Sequence, residues 1–342
     1  AFIPPLIVTF IYEETLSEIF LYSFLFLISL GGLMWFISRQ KGLPLNISDG
    51  FIITTMFWVV LAFAGSIPFY FFGLSINDAI FESVSGITTT GATLIVGLDD
   101  LPKSLLLYRQ LLQWIGGMGL IILAVAVMPA LGIGGSQLYK MELPGSHGNQ
   151  KLTPKITDSA KALWKIYFGL TLACALLYIL SGMDLFDAIA HSLSTVAGGG
   201  FSTHDKSIGF FNSGLIEAVC IFFMLLSAAS FAVHYAAIFG GKPLRYFYDT
   251  EFRFFLSVVV SIILVTLIFH SVSNSYTDIL LTLRTSIFHT VSIVTTSGFT
   301  TENFSLWPSF LPYLLLVGAF MGACSQSVGG GIKTWRVLIM LN

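Results

Sequence analysis

Long apolar runs alternate with short polar connections along the whole chain. The apolar runs lie near residues 1–12, 16–38, 51–73, 105–130, 160–182, 211–239, 253–272 and 308–341. A helix needs about 20 predominantly apolar residues to cross a bilayer, so every run except the first, which looks incomplete, is long enough. The pattern predicts an all-α polytopic membrane protein whose apolar spans are surrounded by membrane lipid.

Three of the connections repeat one pattern of 15 residues without a gap, at 78–92, 187–201 and 285–299. Ile is third, Ser is eighth and Gly is fourteenth in every block, and the successive glycines are 109 and 98 residues apart. The segment before each glycine is about ten residues, a helix of about 15 Å, which is half of a hydrocarbon core. The predicted unit is a span, a half-length re-entrant helix, a glycine-containing loop and a second span.

The three glycine-containing loops suggest an ion filter. Irregular backbone at membrane depth is tolerated only where protein buries it or where it lines a wet cavity. Glycine permits conformations that direct successive carbonyls to one axis, and rings of carbonyls can replace the hydration shell of K⁺. The candidate carbonyl donors, and the only K⁺ ligands expected, are those of Thr88, Thr89, Thr90, Gly91, Ala197, Gly198, Gly199, Gly200, Thr295, Thr296, Ser297 and Gly298. A seam of small residues for helix packing is the alternative, which three loops in one register disfavour.

The last apolar run is interrupted by a polar, glycine-rich segment between Gly322 and Lys333. Three consecutive glycines and three polar residues cannot continue a stable membrane helix. The segment is no phosphate-binding loop, because Ile332 separates the last glycine from the lysine. We interpret it as an intramembrane gate loop, whose candidate residues are Gly322, Ser325, Gln326, Gly329, Gly330, Gly331 and Lys333. The alternative is a cytoplasmic helix end anchored by its basic residues.

The basic residues are distributed unequally between the two sides of the membrane. Ten lie in the connections without a block: Arg39, Lys41, Lys140, Lys151, Lys155, Lys161, Lys165, Lys242, Arg245 and Arg253. Four lie on the side of the blocks: Lys103, Arg109, Lys206 and Arg284. Basic residues accumulate on the cytoplasmic side, so the three loops are predicted to face outward.

Other polar residues of the blocks leave alternatives open. Acidic residues that follow the loops either concentrate cations at an outer mouth or are ordinary solvated charges and helix caps: Asp99, Asp100, Asp205 and Glu302. Glu82, His191 and His289 share the fifth block position, where a polar contact behind the filter is favoured over a metal site. A catalytic triad of Ser192, His191 and Asp187 has no oxyanion elbow, so no enzyme activity is expected.

Composition narrows the class of protein further. Hydrophobic residues make up 55% of the chain and charged ones 10%, and the net charge of −2 with no basic run excludes a nucleic-acid partner. The three cysteines are far apart in apolar segments, so neither a disulfide nor a metal site is indicated. No organic cofactor is expected.

Six short motifs resemble those of one known family. They are TTTGAT at Thr88–Thr93, GGFST at Gly199–Thr203, TSGFTT at Thr296–Thr301, YRQLLQWIGGMG at Tyr108–Gly119, LGIGG at Leu131–Gly135 and GGGIK at Gly329–Lys333. Together they resemble the Trk/Ktr/HKT superfamily of K⁺ transporters, and are most similar to its bacterial TrkH branch. The resemblance covers essentially the whole chain.

The resemblance implies a pseudo-fourfold, K⁺-channel-like pore of four helix–pore-loop–helix repeats. It also implies a homodimer in the bacterial inner membrane and a cytosolic, nucleotide-binding regulatory ring, TrkA-like, as partner. Glycine at every filter position implies potassium uptake through the carbonyl filter, gated by the glycine-rich loop and the regulatory subunit. Two residues depart from the family pattern: Gly198 replaces an apolar residue, which would loosen the second loop, and Gln326 is bulkier than usual. An ion-coupled secondary transporter, a symporter of K⁺ or Na⁺ with H⁺, is the alternative.

The resemblance divides the chain into four parts. Residues 1–45 form an N-terminal hairpin whose first helix is truncated, and 46–140 form repeat 1 with filter loop 88–93. Repeat 2 is 141–245 with filter loop 197–203; repeat 3 is 246–342 with filter loop 295–301 and gate loop 322–333. The fourth repeat is not in this sequence, so we expect the native chain to be longer and this part alone not to conduct.

Overall fold

The computed structural model describes residues 1–38, 47–119, 156–273, 278–308 and 310–341. All regular structure in these ranges is helical. The helices are α1 (Ile3–Ile11), α2 (Ser17–Ile37), α3 (Ile47–Phe72), α4 (Ile76–Ile87), α5 (Lys103–Gly117), α6 (Ile156–Leu180), α7 (Leu185–Ala197), α8 (Gly214–Ala228), α9 (Phe231–Ile238), α10 (Arg245–Tyr248), α11 (Thr250–Val272), α12 (Ile279–Val294), α13 (Phe310–Met321) and α14 (Thr334–Leu341). Short 3₁₀ turns occupy Leu98–Asp100, Ser207–Phe211 and Phe304–Leu306.

Four helices of the described part are long and apolar enough to cross a membrane: α2, α3, α6 and α11. The apolar run predicted as a span over 211–239 forms two helices and not one straight helix, because α8 and α9 meet at an angle of 103°. The bend leaves backbone groups of Ala228 and Phe231 without helical partners. The Ala228 carbonyl accepts from the Cys324 N–H at 3.0 Å, and the Phe231 N–H donates to the Gln326 carbonyl at 3.0 Å. The polar loop after α13 therefore supplies hydrogen-bond partners for the backbone groups at the bend between α8 and α9.

Some sequence predictions fall outside the described residues. The helix predicted over 105–130 is described as α5 up to Gly117, and 120–155 lies outside. The domain boundaries at 45/46 and 140/141 also lie outside, together with the basic residues Arg39, Lys41, Lys140, Lys151 and Lys155.

Three short helices, α4, α7 and α12, coincide with the repeated blocks. They contain 12, 13 and 16 residues, so they are about 18–24 Å long and somewhat longer than the sequence predicts. A polar side chain caps the start of each, because the first N–H groups of a helix have no internal partner. These caps are Ser75 to Asp78 N–H, Asp184 to Phe186 N–H and Asp278 to Leu280 N–H.

The blocks are arranged in chain order. Each short helix packs against the span before it: α4 on α3, α7 on α6 and α12 on α11. It also contacts the second helix of the preceding unit: α7 contacts α5, and α12 contacts α8. Each unit thereby supplies one wall for the re-entrant helix of the next.

Two adjacent glycines allow α5 to lie close to two re-entrant helices. A Cβ atom at Gly116 would come within 3.0 Å of the backbone of Ile87, at the end of α4. A Cβ atom at Gly117 would lie 3.2 Å from Ala197, at the end of α7, and closer still to the Tyr167 hydroxyl. Helix α5 therefore contacts the ends of both α4 and α7.

Gly116→Ala is expected to destabilise the protein. The added methyl group forces α4 and α5 apart, at a cost of about 1–3 kcal/mol. Gly169→Ala is the matched control, because Gly169 is also helical but has nothing within 4 Å of a Cβ. It should leave stability unchanged or raise it by up to about 1 kcal/mol through helix propensity. Melting temperatures of the two variants in detergent test this, and equal changes would contradict it.

Candidate ion filter and gate loop

The fourteenth residue of every block has a backbone conformation that favours glycine. Gly91, Gly200 and Gly298 have φ angles of 77°, 77° and 85°. In this left-handed region a side chain with a Cβ is strained. The glycine singled out by the sequence is therefore required by the backbone in all three loops.

The residue two places earlier has the same handedness. Thr89 and Thr296 have φ angles of 54° and 60°, and Gly198 has 65°. Gly198 thus occupies a left-handed position where the other two loops hold a strained threonine. Glycine relieves strain at this point, which is a local reason for its presence in the second loop.

Neighbouring loops touch each other through their backbones. A Cβ atom at Gly91 would lie less than 3.0 Å from the carbonyl oxygen of Gly199. A Cβ atom at Gly200 would be equally close to the carbonyl oxygen of Ser297. The first loop therefore contacts the second and the second contacts the third, and glycine is what permits both contacts.

Most of the candidate carbonyls accept no hydrogen bond from the described residues. Among the twelve carbonyls predicted from the sequence, two accept a hydrogen bond within the described part of the chain. Gly199 accepts from Gln113 Nε2 at 2.7 Å, and Thr295 accepts from the Thr296 hydroxyl at 2.7 Å. Bare carbonyls at membrane depth are costly unless water or a cation binds them. The remaining ten are available to such a partner.

The eighth residue of the block, serine, closes two of the three loops. The Ser85 hydroxyl donates to the Ala92 carbonyl at 2.5 Å, and the Ser292 hydroxyl donates to the Phe299 carbonyl at 2.6 Å. Each bond joins the re-entrant helix to the residue just after the glycine. The second loop differs, since Ser194 donates to Gln113 Oε1 at 2.6 Å.

The fifth residue holds the chain that leaves each loop. Glu82 accepts from the Leu94 N–H at 2.7 Å and from the Ile95 N–H at 3.2 Å. His191 Nε2 pairs with the Ser202 hydroxyl at 2.9 Å, and His289 Nε2 lies 3.2 Å from the Glu302 carbonyl. These three side chains bind their own loops in three separate units.

Arg109 is buried, although the sequence interpretation counted it among outward-facing connections. Its side chain is 0% exposed, and its Nε lies 3.5 Å from Glu82 Oε2. The guanidinium donates to the Thr93 hydroxyl at 2.9 Å and to the Ser202 carbonyl at 3.2 Å, and lies over the Phe201 ring. Arg109 thus joins the residues that follow the first loop to those that follow the second loop. The feature of the sequence that could have indicated this burial is an arginine within an apolar run.

The predicted gate loop occupies the whole interval between α13 and α14. Glu251, in the first turn of α11, accepts from the Ser325 N–H at 2.6 Å and the Trp335 N–H at 3.0 Å. Lys333 Nζ donates to the Gly329 carbonyl and to the Ser327 carbonyl. These bonds tie both ends of the loop to α11 and close the loop on itself.

The gate loop also touches the third filter loop. The Gly330 N–H donates to the Thr296 hydroxyl at 2.6 Å, and that hydroxyl donates to the Thr295 carbonyl. Gln326, the bulky residue in the loop, has a φ of 59°, and its carbonyl accepts from α9. Filter loop, gate loop and broken helix are therefore in direct contact.

His204 joins the 3₁₀ turn after the first loop to the first turn of α7. Its Nδ1 lies 2.5 Å from Asp99 and its Nε2 lies 3.1 Å from Asp187, while its ring stacks on Phe210 at 3.5 Å. Burial lowers the pKa of His204, but hydrogen bonds and charges from Asp187 and Asp99 outweigh it, so the pKa is raised. Hydrogen bonding to His204 lowers the pKa of Asp99.

Three of the four acidic residues left open by the sequence, Asp99, Asp205 and Glu302, have structural partners. Asp205 accepts from the Gly97 N–H at 3.0 Å and the Leu98 N–H at 3.1 Å. Glu302 accepts from Trp307 Nε1 at 2.7 Å. Asp99 and Asp205 both link the segment that follows the first loop to the segment that follows the second loop.

Spanning helices, re-entrant helices and unpaired loop carbonyls together define a helical membrane protein of the ion-transport class. Residues 16–342 match the family described as "TrkH: Cation transport protein". The chain belongs to the TrkH family.

Similar proteins are known from several bacteria. The chain is 48% identical to the Trk system potassium uptake protein TrkH of Vibrio parahaemolyticus, over 98% of this chain and 70% of that protein. It is 45% identical to the TrkH of Escherichia coli K12 and 42% identical to the TrkG of that strain, with the same 70% of each relative covered. The crystal structure of the potassium transporter TrkH from Vibrio parahaemolyticus matches with a TM-score of 0.88 at 46% identity, covering 99% of this chain and 70% of that one.

The contacts of His204 with Asp99 and Asp187 predict that the stability of the fold depends on pH. A raised pKa means that the charged imidazole stabilises the fold at low pH, and this contribution is lost as pH rises through the raised value. We expect the melting temperature in detergent to fall by about 2 °C between about pH 6 and about pH 9 because of this group. The neighbouring groups Asp99, Asp187 and His191 remain in place in the test variant.

His204→Gln should remove this part of the pH dependence while keeping a hydrogen-bonding side chain. Lys206→Gln is the control, because Lys206 is exposed and two residues away. An unchanged pH profile in His204→Gln, or the same flattening in Lys206→Gln, would refute the assignment.

Proposed function

We propose that this chain forms part of a potassium uptake pathway across the bacterial inner membrane. The observation that carries the proposal is the set of unpaired carbonyls in three loops that touch in chain order. The relatives that match nearly the whole chain are named potassium uptake proteins. The activity is cation transport rather than catalysis.

The chemistry of the loops favours K⁺. Carbonyl oxygens are neutral ligands that replace the water around a weakly hydrated cation. The twelve filter residues contribute only neutral side chains, so charge does not hold the ion. Glycine at all three filter positions is the pattern that the family resemblance links to K⁺ rather than Na⁺. We assign the ion to the carbonyls of the loops Thr88–Gly91, Ala197–Gly200 and Thr295–Gly298, among which those of Gly199 and Thr295 already accept a hydrogen bond.

An ion-coupled symporter is a weaker candidate. Coupling to H⁺ or Na⁺ would need ionisable groups that are free to bind the ion at the midplane. The buried pair of the described part, Glu82 and Arg109, is occupied with backbone and hydroxyl groups of the exit segments. The bidentate pair of Glu217 and Arg284, with contacts of 2.6 and 2.7 Å, joins α8 to α12. Because these ionisable groups are already paired, they support a passive or gated pathway and not an ion-coupled symporter.

The proposed organisation follows the sequence prediction. We assign residues 1–45 to an N-terminal hairpin, and 46–140, 141–245 and 246–342 to three helix–pore-loop–helix units of a pseudo-fourfold pore. The filter loops face outward, and a homodimer with a TrkA-like cytosolic ring is the working assembly. The naming of the relatives as members of a Trk system supports a partner subunit.

We further propose that residues 322–333 gate the pathway. The loop lies against Thr296 of the third filter loop and completes the backbone bonding of the α8–α9 bend. A loop held by few, specific backbone bonds can be released without unfolding its surroundings. Gly322, Ser325, Gln326, Gly329, Gly330, Gly331 and Lys333 are the residues assigned to it.

Potassium uptake by the full-length protein tests the function, and Gly91→Ser tests the filter. A transport-deficient bacterium should grow on low potassium with the wild-type gene. Serine at position 91 places a Cβ against the Gly199 carbonyl at a φ of 77°, so the preference for K⁺ over Na⁺ should fall about tenfold.

Gly97→Ser is a close control for backbone strain. Gly97 has a φ of 76° but nothing within 4 Å of a Cβ, and it lies six residues beyond the filter glycine. Its K⁺ preference should remain that of the wild type. A filter role for the first loop is refuted if Gly91→Ser retains wild-type selectivity, or if both variants lose it equally.

Glu251→Ala tests the gate. Alanine leaves the Ser325 and Trp335 N–H groups without their acceptor, at about 1–3 kcal/mol each, so the loop should loosen and basal K⁺ flux should rise. Glu251→Gln keeps an acceptor oxygen and should change flux less. Flux into vesicles of the full-length protein is the measurement, and lower flux from a well-folded Glu251→Ala protein would contradict the proposal.

A further inference from the structure

Gln113 holds the second filter loop, although it belongs to the second helix of the first unit. Its Nε2 donates to the Gly199 carbonyl at 2.7 Å. Its Oε1 accepts from the Phe201 N–H at 3.1 Å and from the Ser194 hydroxyl at 2.6 Å. The side chain is 0% exposed, so all three bonds lie in the protein interior.

The first and third loops have a different closure. There the block serine donates directly to the carbonyl of the residue after the filter glycine, as Ser85 does to Ala92 and Ser292 to Phe299. In the second loop, Gln113 stands between Ser194 and Phe201, where it binds the hydroxyl of one and the N–H of the other. The second loop therefore depends on a neighbouring unit for a bond that the others make internally.

The packing around Gln113 is close enough to fix its position. A Cβ atom at Gly199 would lie less than 3.0 Å from Cδ of Gln113, so the amide lies directly against the loop backbone. An amide supplies a donor and an acceptor from one planar group, which this site uses together. An ionised carboxylate of the same reach offers acceptors only, and an ammonium offers donors only.

We propose that Gln113 is a positioning residue that sets the orientation of the Gly199 carbonyl and thereby the ion preference of the second filter loop. The proposal rests on the function proposed above for the filter loops. Gly199 is the filter residue that a side chain of another unit binds within the described part of the chain. The three filter loops therefore differ chemically, because a side chain of α5 holds one carbonyl of the second loop.

The unequal closure has a consequence for selectivity. With the Gly199 carbonyl held by Gln113, the backbone of the second loop keeps its shape whichever cation occupies the filter, whereas a loop that is not held can close around a smaller ion. Loss of the Gln113 bond should therefore improve the binding of Na⁺ relative to K⁺, and the effect should appear in the ion preference before it appears in folding.

Gln113→Met, with Gln110→Met as matched control, tests the proposal in the full-length protein. Methionine keeps a similar volume but removes the three bonds. Gln110 lies one turn earlier on α5, is also 0% exposed, and makes no side-chain hydrogen bond within the described ranges. The readout is the ratio of K⁺ to Na⁺ uptake, together with the amount of protein in the membrane.

We expect the ratio to fall about tenfold in Gln113→Met, the size expected for loss of the one bond that holds the Gly199 carbonyl. Gln110→Met should retain the wild-type ratio. Ser194→Ala removes one of the three bonds and the smallest volume, so it should fold and lower the ratio by about two- to threefold.

The outcomes separate this proposal from the proposed function. Wild-type protein that takes up no K⁺ would refute the function itself. Normal wild-type uptake with unchanged ratios in Gln113→Met and Ser194→Ala would refute the role of Gln113 alone. Equal loss of selectivity in Gln110→Met would also overturn the proposal. The effect would then come from replacing a buried polar side chain of α5 and not from the bonds of Gln113. If Gln113→Met does not accumulate, the ratio in Ser194→Ala decides.

Discussion

The structure depends on one constraint, that backbone polar groups inside a membrane need partners. Each of the three short helices is followed by a loop in which most carbonyls accept no hydrogen bond from the described residues. Side chains at fixed block positions satisfy the surrounding groups: the serine closes the first and third loops, and the fifth residue binds the segment that follows each loop. What these bonds leave unpaired is a set of carbonyls in mutual contact. The function proposed above depends on these carbonyls being available to a cation.

Local features of this arrangement could be predicted from sequence. The glycines at 91, 200 and 298 are needed by φ angles that their own loops impose, and apolar run lengths reveal the spans. The interruption at 322–333 was predictable because polar and glycine residues stand where a helix would need apolar ones. In each case the cause and the residue are neighbours in the chain, so a repeated pattern is sufficient to reveal them.

Features whose partners are distant in sequence could not be predicted. Gln113 binds Gly199, 86 positions away, and Arg109 binds Ser202, 93 positions away. Nothing in the local sequence distinguishes Gln113 from Gln110, which has the same burial and no such bond. The bend between α8 and α9 was missed for the same reason. It contains neither proline nor glycine, and the groups that stabilise it come from the loop about 95 residues later.

The same distant bonds join parts that would otherwise be independent. The Phe231 N–H at the start of α9 binds the Gln326 carbonyl, and the gate loop in turn places Gly330 against Thr296. Thr296 has a φ of 60°, and its hydroxyl binds the Thr295 carbonyl of the third filter loop. A displacement of α9 therefore acts on the loop at 322–333 through the bond between the Phe231 N–H and the Gln326 carbonyl. The bend in α8–α9 is linked in this way, through a chain of hydrogen bonds, to the third filter loop.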